Sequence, residues 1–157
     1  MADAMERSRA AFATLCQTMD EMGLKYNKND EEMWVGLTGT GQDLPIQMAF
    51  RIYGERCLLV LLSKLPFTIP EDKRLDMVIA VSAINNRMAF GSFDFTVDRD
   101  SVIYRLSNCF TDCTPGSELF KWSIICAFRT VDEYNDKLQA LVEGKQSVEQ
   151  FLASLEA

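Results

Sequence analysis

The sequence predicts an α+β fold, an antiparallel sheet with helices packed on one side, and three observations lead there. Ile46, Met48, Phe50 and Ile52 alternate with Gln47, Ala49, Arg51 and Tyr53, the period-two pattern of a strand covering a core on one face. Residues 92–109 read as a hairpin: Phe93, Phe95 and Val97 run into Asp98-Arg99-Asp100, and Val102, Tyr104 and Leu106 run back. The stretches on either side of these strands repeat apolar residues at three- and four-residue spacings instead. The order that follows, α-β-β-β-β-α-β-β-α-α, groups strands together, whereas alternating strands and helices would build a parallel sheet.

Each element has its own signature. The first helix runs from Asp3 to Met22 on Met5, Phe12, Leu15, Cys16, Met19 and Met22, and Gly23 stops it. Strands are expected at Leu24–Asn27, Met33–Thr38, Ile46–Tyr53 and Arg56–Leu65, with Gly39-Thr-Gly-Gln-Asp as a hairpin loop. The run Cys57 to Leu62 shows no alternation, which predicts cover on both faces, either in a central strand or at a subunit contact. Thr68-Ile-Pro-Glu71 has the form of a capping box opening a helix that reaches Met88. Its apolar stripe is wide for a surface helix: Leu75, Val78, Ile79 and Ser82 lie beside Met77, Val81, Ile84 and Met88. A long helix from Pro115 to Glu143 and a short one opened by the capping box Ser147-Val-Glu-Gln150 complete the chain.

The totals bound the function. At 157 residues the chain fits one domain over 1–157 and can bury roughly 70% of its unfolded surface. No apolar run approaches the roughly 20 residues that span a bilayer, and the N-terminus lacks the basic-then-apolar order of a signal peptide. A cytoplasmic protein with no membrane partner is expected. Net charge is -7, with seven acids against four bases in residues 1–32 and the same in 115–157, but two against three in 33–69. Lysine and arginine do not cluster, so no nucleic-acid partner is expected. Five cysteines, an odd number, fit a reducing compartment with free thiols. There is no histidine, which removes Ser-His and Cys-His catalysis and imidazole metal sites.

Ile84-Asn85-Asn86-Arg87, Phe90-Gly91-Ser-Phe93, Ile103-Tyr104-Arg105 and Val131-Asp-Glu-Tyr134, with Leu138 behind it, together resemble the YbjN-like family of bacterial proteins. The matching residues span roughly 75 to 138. The resemblance implies a fold like that of the type III secretion chaperones, small acidic α+β homodimers that hold extended segments of partner proteins. It also implies a regulator-like role without an established ligand.

Most of the candidate sites have a plain structural role. Gly39-Thr40-Gly41-Gln42 lacks both the third glycine and the following helix of a dinucleotide fingerprint, so it reads as a turn. Cys109, Cys113 and Cys126 lack an evident fourth metal ligand and read as small apolar residues, with no metal and no cofactor expected. Asp94, Asp98 and Asp100 read as turn aspartates, and Asn85-Asn86-Arg87 as residues satisfying a helix C-terminus. Arg105 should share a face with Asp94 and Thr96, where a cross-strand ion pair is the simplest role. Trp34, Ala49, Arg51 and Tyr53 should share the outer face of the sheet, and two aromatics with an arginine are the composition of interface anchors. The expected partner-binding residues are therefore Trp34, Arg51, Tyr53 and Arg105, and the partner is a protein or extended peptide segment. Two other readings stand beside this one: a small-molecule sensor with its ligand between the sheet and the helix at 115–143, and a cysteine-based redox sensor.

Overall fold

In the computed structural model, which describes residues 2–156, the expected element order is found. Helix α1 (Ala2–Glu21) is followed by strands β1 (Tyr26–Asn29), β2 (Trp34–Thr40), β3 (Pro45–Tyr53) and β4 (Leu58–Lys64). Helix α2 (Arg74–Asn85), the hairpin β5 (Ser92–Thr96) and β6 (Ser101–Cys109), and helices α3 (Ser117–Val142) and α4 (Val148–Ser154) complete it. All neighbouring strands are antiparallel, in the order β1-β2-β3-β4-β6-β5. The helices pack against one face, where Val35, Phe50, Ile52, Leu59, Leu61, Phe93, Val102 and Tyr104 meet Leu15, Met19, Met77, Ile84, Phe120, Leu138 and Phe151 in one buried cluster.

Backbone geometry explains where the sequence pattern had to bend. Gly23, Gly91 and Gly144 take positive φ at the ends of elements, a conformation that suits glycine. At Gly91 there is a second constraint, because a Cβ there would collide with the Tyr104 ring. β2 extends through Gly39 and Thr40, so the expected loop begins only at Gly41. Gly39 belongs to the strand because the Phe128 ring of α3 lies against it.

Four further expectations give way to the structure. Thr68 forms no capping box: the chain passes through a 3₁₀ turn at Glu71–Lys73 before α2 begins at Arg74, with no side-chain cap. The segment is held instead by the Ile69 N–H donating to the Asp100 carbonyl (2.8 Å) and by Arg74, whose Nε and Nη2 donate to the two Asp100 carboxylate oxygens (2.7 and 3.0 Å). That clamp also fixes Asp100 at φ 46°, a left-handed turn residue. α3 starts at Ser117, two residues after Pro115. Val97 lies past the end of β5 and is 60% exposed, not a strand residue. Finally, β4 alternates after all. Leu59, Leu61 and Ser63 face the core, whereas Leu58 and Val60 are half-buried and Leu62 is exposed on the other side. The strand is central, and within the chain itself only one of its faces is covered, so of the two expected sources of double cover the chain's own packing is not one.

The uncovered sheet face as the candidate functional site

Register places the residues of the bare face in rows. Trp34 of β2 stands opposite Arg51 of β3, which stands opposite Val60 of β4. One row along, Gly36, Ala49, Leu62 and Arg105 are successive partners across β2, β3, β4 and β6. Alternation dictates this: residues two apart on one strand share a face, and direct partners on neighbouring strands share it too. Trp34, Ala49, Arg51 and Tyr53 thus fall on the same side of the sheet, and Arg105 joins them there.

Small residues shape that surface. A Cβ at position 36 would stand 2.5 Å from the edge of the Trp34 indole, so glycine lets the ring lie down over the strand. Beside it opens a cleft of about 670 Å³ lined by Lys25, Trp34, Gly36, Gln47, Ala49, Leu62, Lys64 and Ile103, among others. The Arg51 guanidinium lies 5.3 Å from the centre of the Tyr53 ring, a cation–π contact that steadies both side chains. Its only carboxylate neighbour among the described residues, Glu32, is 4.0 Å away. Arg105 Nη2 pairs with Asp94 Oδ2 at 2.7 Å, the cross-strand ion pair expected of it, and remains half exposed.

The profile of the family described as "Putative bacterial sensory transduction regulator", YbjN, matches residues 11–140. The chain belongs to the YbjN family. Its fold is similar to that of YbjN from E. coli, with 15% identity, a TM-score of 0.58, and 82% of this chain and 89% of that one covered. It is also similar to that seen in the ExsC-ExsE complex, with 16% identity, a TM-score of 0.56, and 78% and 88% covered. The architecture is therefore the type III secretion chaperone-like α+β fold. No curated protein matches the chain.

In this YbjN-family chain the stretch Ile84–Phe93 has a use that sequence reasoning missed. The Asn85 side-chain amide donates to the Phe93 carbonyl and accepts from the Phe93 N–H, both at 2.8 Å. Phe93 is the second residue of β5, at the margin of the sheet. Asn85 thus supplies the donor and acceptor that a further strand would, and caps that edge near the start of β5. Arg87 does satisfy a helix carbonyl as expected, donating to Ala83 at 3.3 Å. The turn aspartates act mainly through ion pairs, Asp94 with Arg105 and Asp100 with Arg74.

The cysteines divide. Cys57 is buried, while Cys109 and Cys113 are exposed, which corrects their reading as core residues. Burial pushes the half-buried Cys16 thiol up, against the opposing pull of Lys28, and so away from the thiolate that redox chemistry needs. Among the described residues no three His, Cys, Asp or Glu side chains gather in a way that could hold a metal ion, and no helix is long and apolar enough to cross a membrane.

Proposed function

We propose that this chain is a non-enzymatic, cytoplasmic protein-interaction module, chaperone-like or regulatory, that holds an extended segment of a partner protein on the outer face of its sheet and works as a homodimer. The observation that carries this is the outward side of β4, where Leu58, Val60 and Leu62 are apolar and no helix lies over them. The part of this apolar row left in water, on exposed Leu62 and half-buried Leu58 and Val60, is costly at roughly 25 cal/mol per Å², and a partner would recover that cost. Trp34, Arg51, Tyr53 and Arg105 surround the row and supply aromatic and guanidinium anchors of the kind that dominate interface energetics. A segment could also extend the sheet at β1, the margin that Asn85 does not close. The similarity to a fold seen in a two-protein complex, ExsC with ExsE, agrees with this.

The second copy has a separate place in this reading. α2 buries Met77, Ala80, Val81 and Ile84 but leaves Leu75 (70% exposed), Val78 and Ile79 facing outward. That stripe is the half of the wide apolar pattern that nothing within the chain covers, and a twofold contact would bring it against its own copy. To test partner binding, native protein and the Leu62→Glu variant are used as bait in the source cell extract. A partner retained by the native chain and lost by the variant is expected; identical captures would refute the assignment of the outer face.

A further inference from the structure

Every charged side chain that lines the outer cleft is cationic, in a chain whose net charge is -7. Lys64 ends β4 and faces outward beside its partner Ile103, and Lys25 lies just before β1, one residue beyond the paired register. Among the described residues neither has a carboxylate within 4 Å, although the rest of the molecule abounds in them. Arg51, two rows along the sheet, adds a third positive charge, opposed among the described residues only by Glu32 at 4.0 Å. Directly between the lysines, in their own row, lie Thr38 and Gln47, and beside that row lie Ala49, Leu62 and the flat Trp34 indole over Gly36.

From this charge inversion we infer the chemistry of the segment that the outer face holds: an acidic stretch with two carboxylates flanking a bulky apolar side chain. The inference rests on the reading of this face as a partner surface and adds what the partner must carry. Lys25 and Lys64 stand on the first and fourth strands of the sheet, three inter-strand steps of about 4.8 Å, or about 14 Å apart at the backbone. An extended segment crossing the strands rises about 3.3 Å per residue, so it covers that distance in about four residues. The pattern required is acid-x-apolar-x-acid, with one carboxylate at each ammonium and the apolar side chain leaning from above Thr38 and Gln47 toward Ala49 and the indole in the rows beside them. Basic segments are repelled by the same lysines, which makes the surface selective as well as attractive.

The test uses the full chain carrying Trp122→Phe, which leaves Trp34 as the only indole. It is titrated with a synthetic dodecapeptide centred on Glu-Ser-Phe-Thr-Glu, with the same peptide bearing lysine for glutamate, and with dodecanoate. A saturable change in Trp34 emission with the acidic peptide alone is expected, weakening as salt is added. Lys25→Glu with Lys64→Glu should reduce affinity by about tenfold, as the loss of two exposed ion pairs does. Gly36→Ala should displace the indole and weaken binding with both lysines intact, while far-UV circular dichroism stays native. Equal binding of the lysine peptide, binding of dodecanoate alone, or indifference to the double lysine variant would overturn the inference. A cellular partner lost by Leu62→Glu yet retained by the double lysine variant would sink this inference and leave the broader reading standing.

Discussion

At the scale of single residues, Asn85 and the tyrosines carry the clearest consequences. Replacing Asn85 by alanine strands the Phe93 N–H and carbonyl at once, and unsatisfied backbone groups of this kind cost about 1–3 kcal/mol. For a chain of this size that corresponds to a fall in melting temperature of roughly 2–4 °C per kcal/mol, read by thermal unfolding. Asn85→Asp should recover little, since a carboxylate cannot donate to the Phe93 carbonyl. The phenols set an alkaline limit. Burial raises Tyr104 and Tyr134, and burial with the Asp20 hydrogen bond pushes Tyr26 up to about 12. In the unfolded chain these groups lose their protons near pH 10, whereas the folded chain retains them. Their contribution to stability is therefore complete below about pH 10 and falls as pH rises through the folded values. Denaturant titrations should show a midpoint insensitive to these groups through neutral pH and declining above about 10.

At the scale of elements, the two capping boxes show what is legible in a sequence and what is not. Both Thr68-x-x-Glu71 and Ser147-x-x-Gln150 have the right residues, but only the second closes: Ser147 Oγ accepts from the Gln150 N–H and Gln150 Oε1 from the Ser147 N–H. The first fails because Ile69 and Arg74 are already held by the hairpin turn at Asp100, a contact some thirty residues away that no local motif announces. Ser147→Ala should cost about 1 kcal/mol and speed amide exchange in α4, while Thr68→Ala should stay within about 0.5 kcal/mol. The strand pattern at 46–53 and the hairpin at 92–109 were readable because alternation there reports burial on a single face. β4 misled for the same reason: a row of leucines and valine looks doubly covered, and only the register reveals which of them no helix reaches. The outer-face set Trp34, Arg51 and Tyr53 was legible from parity alone. The cleft beside them was not, since it depends on Gly36 and Ala49 being neighbours across two strands. Asn85 escaped for a related reason, because its partner is a backbone on another element.

For the whole molecule, two uncovered apolar surfaces lie on different sides, the bare sheet face and the α2 stripe. If α2 joins two copies, both sheet faces remain available, and one assembly could hold two segments or two stretches of one partner. Light scattering after size exclusion should report a dimer for the native chain and a monomer for Val78→Asp. That substitution places a carboxylate on a side chain already 46% exposed, so the fold should survive it. A native chain that runs as a monomer would remove the dimer from the proposal and leave partner binding untouched. The sheet face gathers cations while the molecule as a whole is acidic, so non-specific attraction to basic surfaces and selective attraction to an acidic segment come from different sides of the same protein.

The amide of Asn85 also limits how such molecules can grow. A sheet exposed at both margins can accept a neighbour on each side and lengthen without end, which is the route to fibres. Here one margin is occupied near the start of its strand by a side chain of the same molecule, which favours addition of strands from the β1 side. Two copies meeting there would pair β1 with β1 and leave only blocked margins outside. Strand pairing between copies of this chain through β1 thus closes at two members.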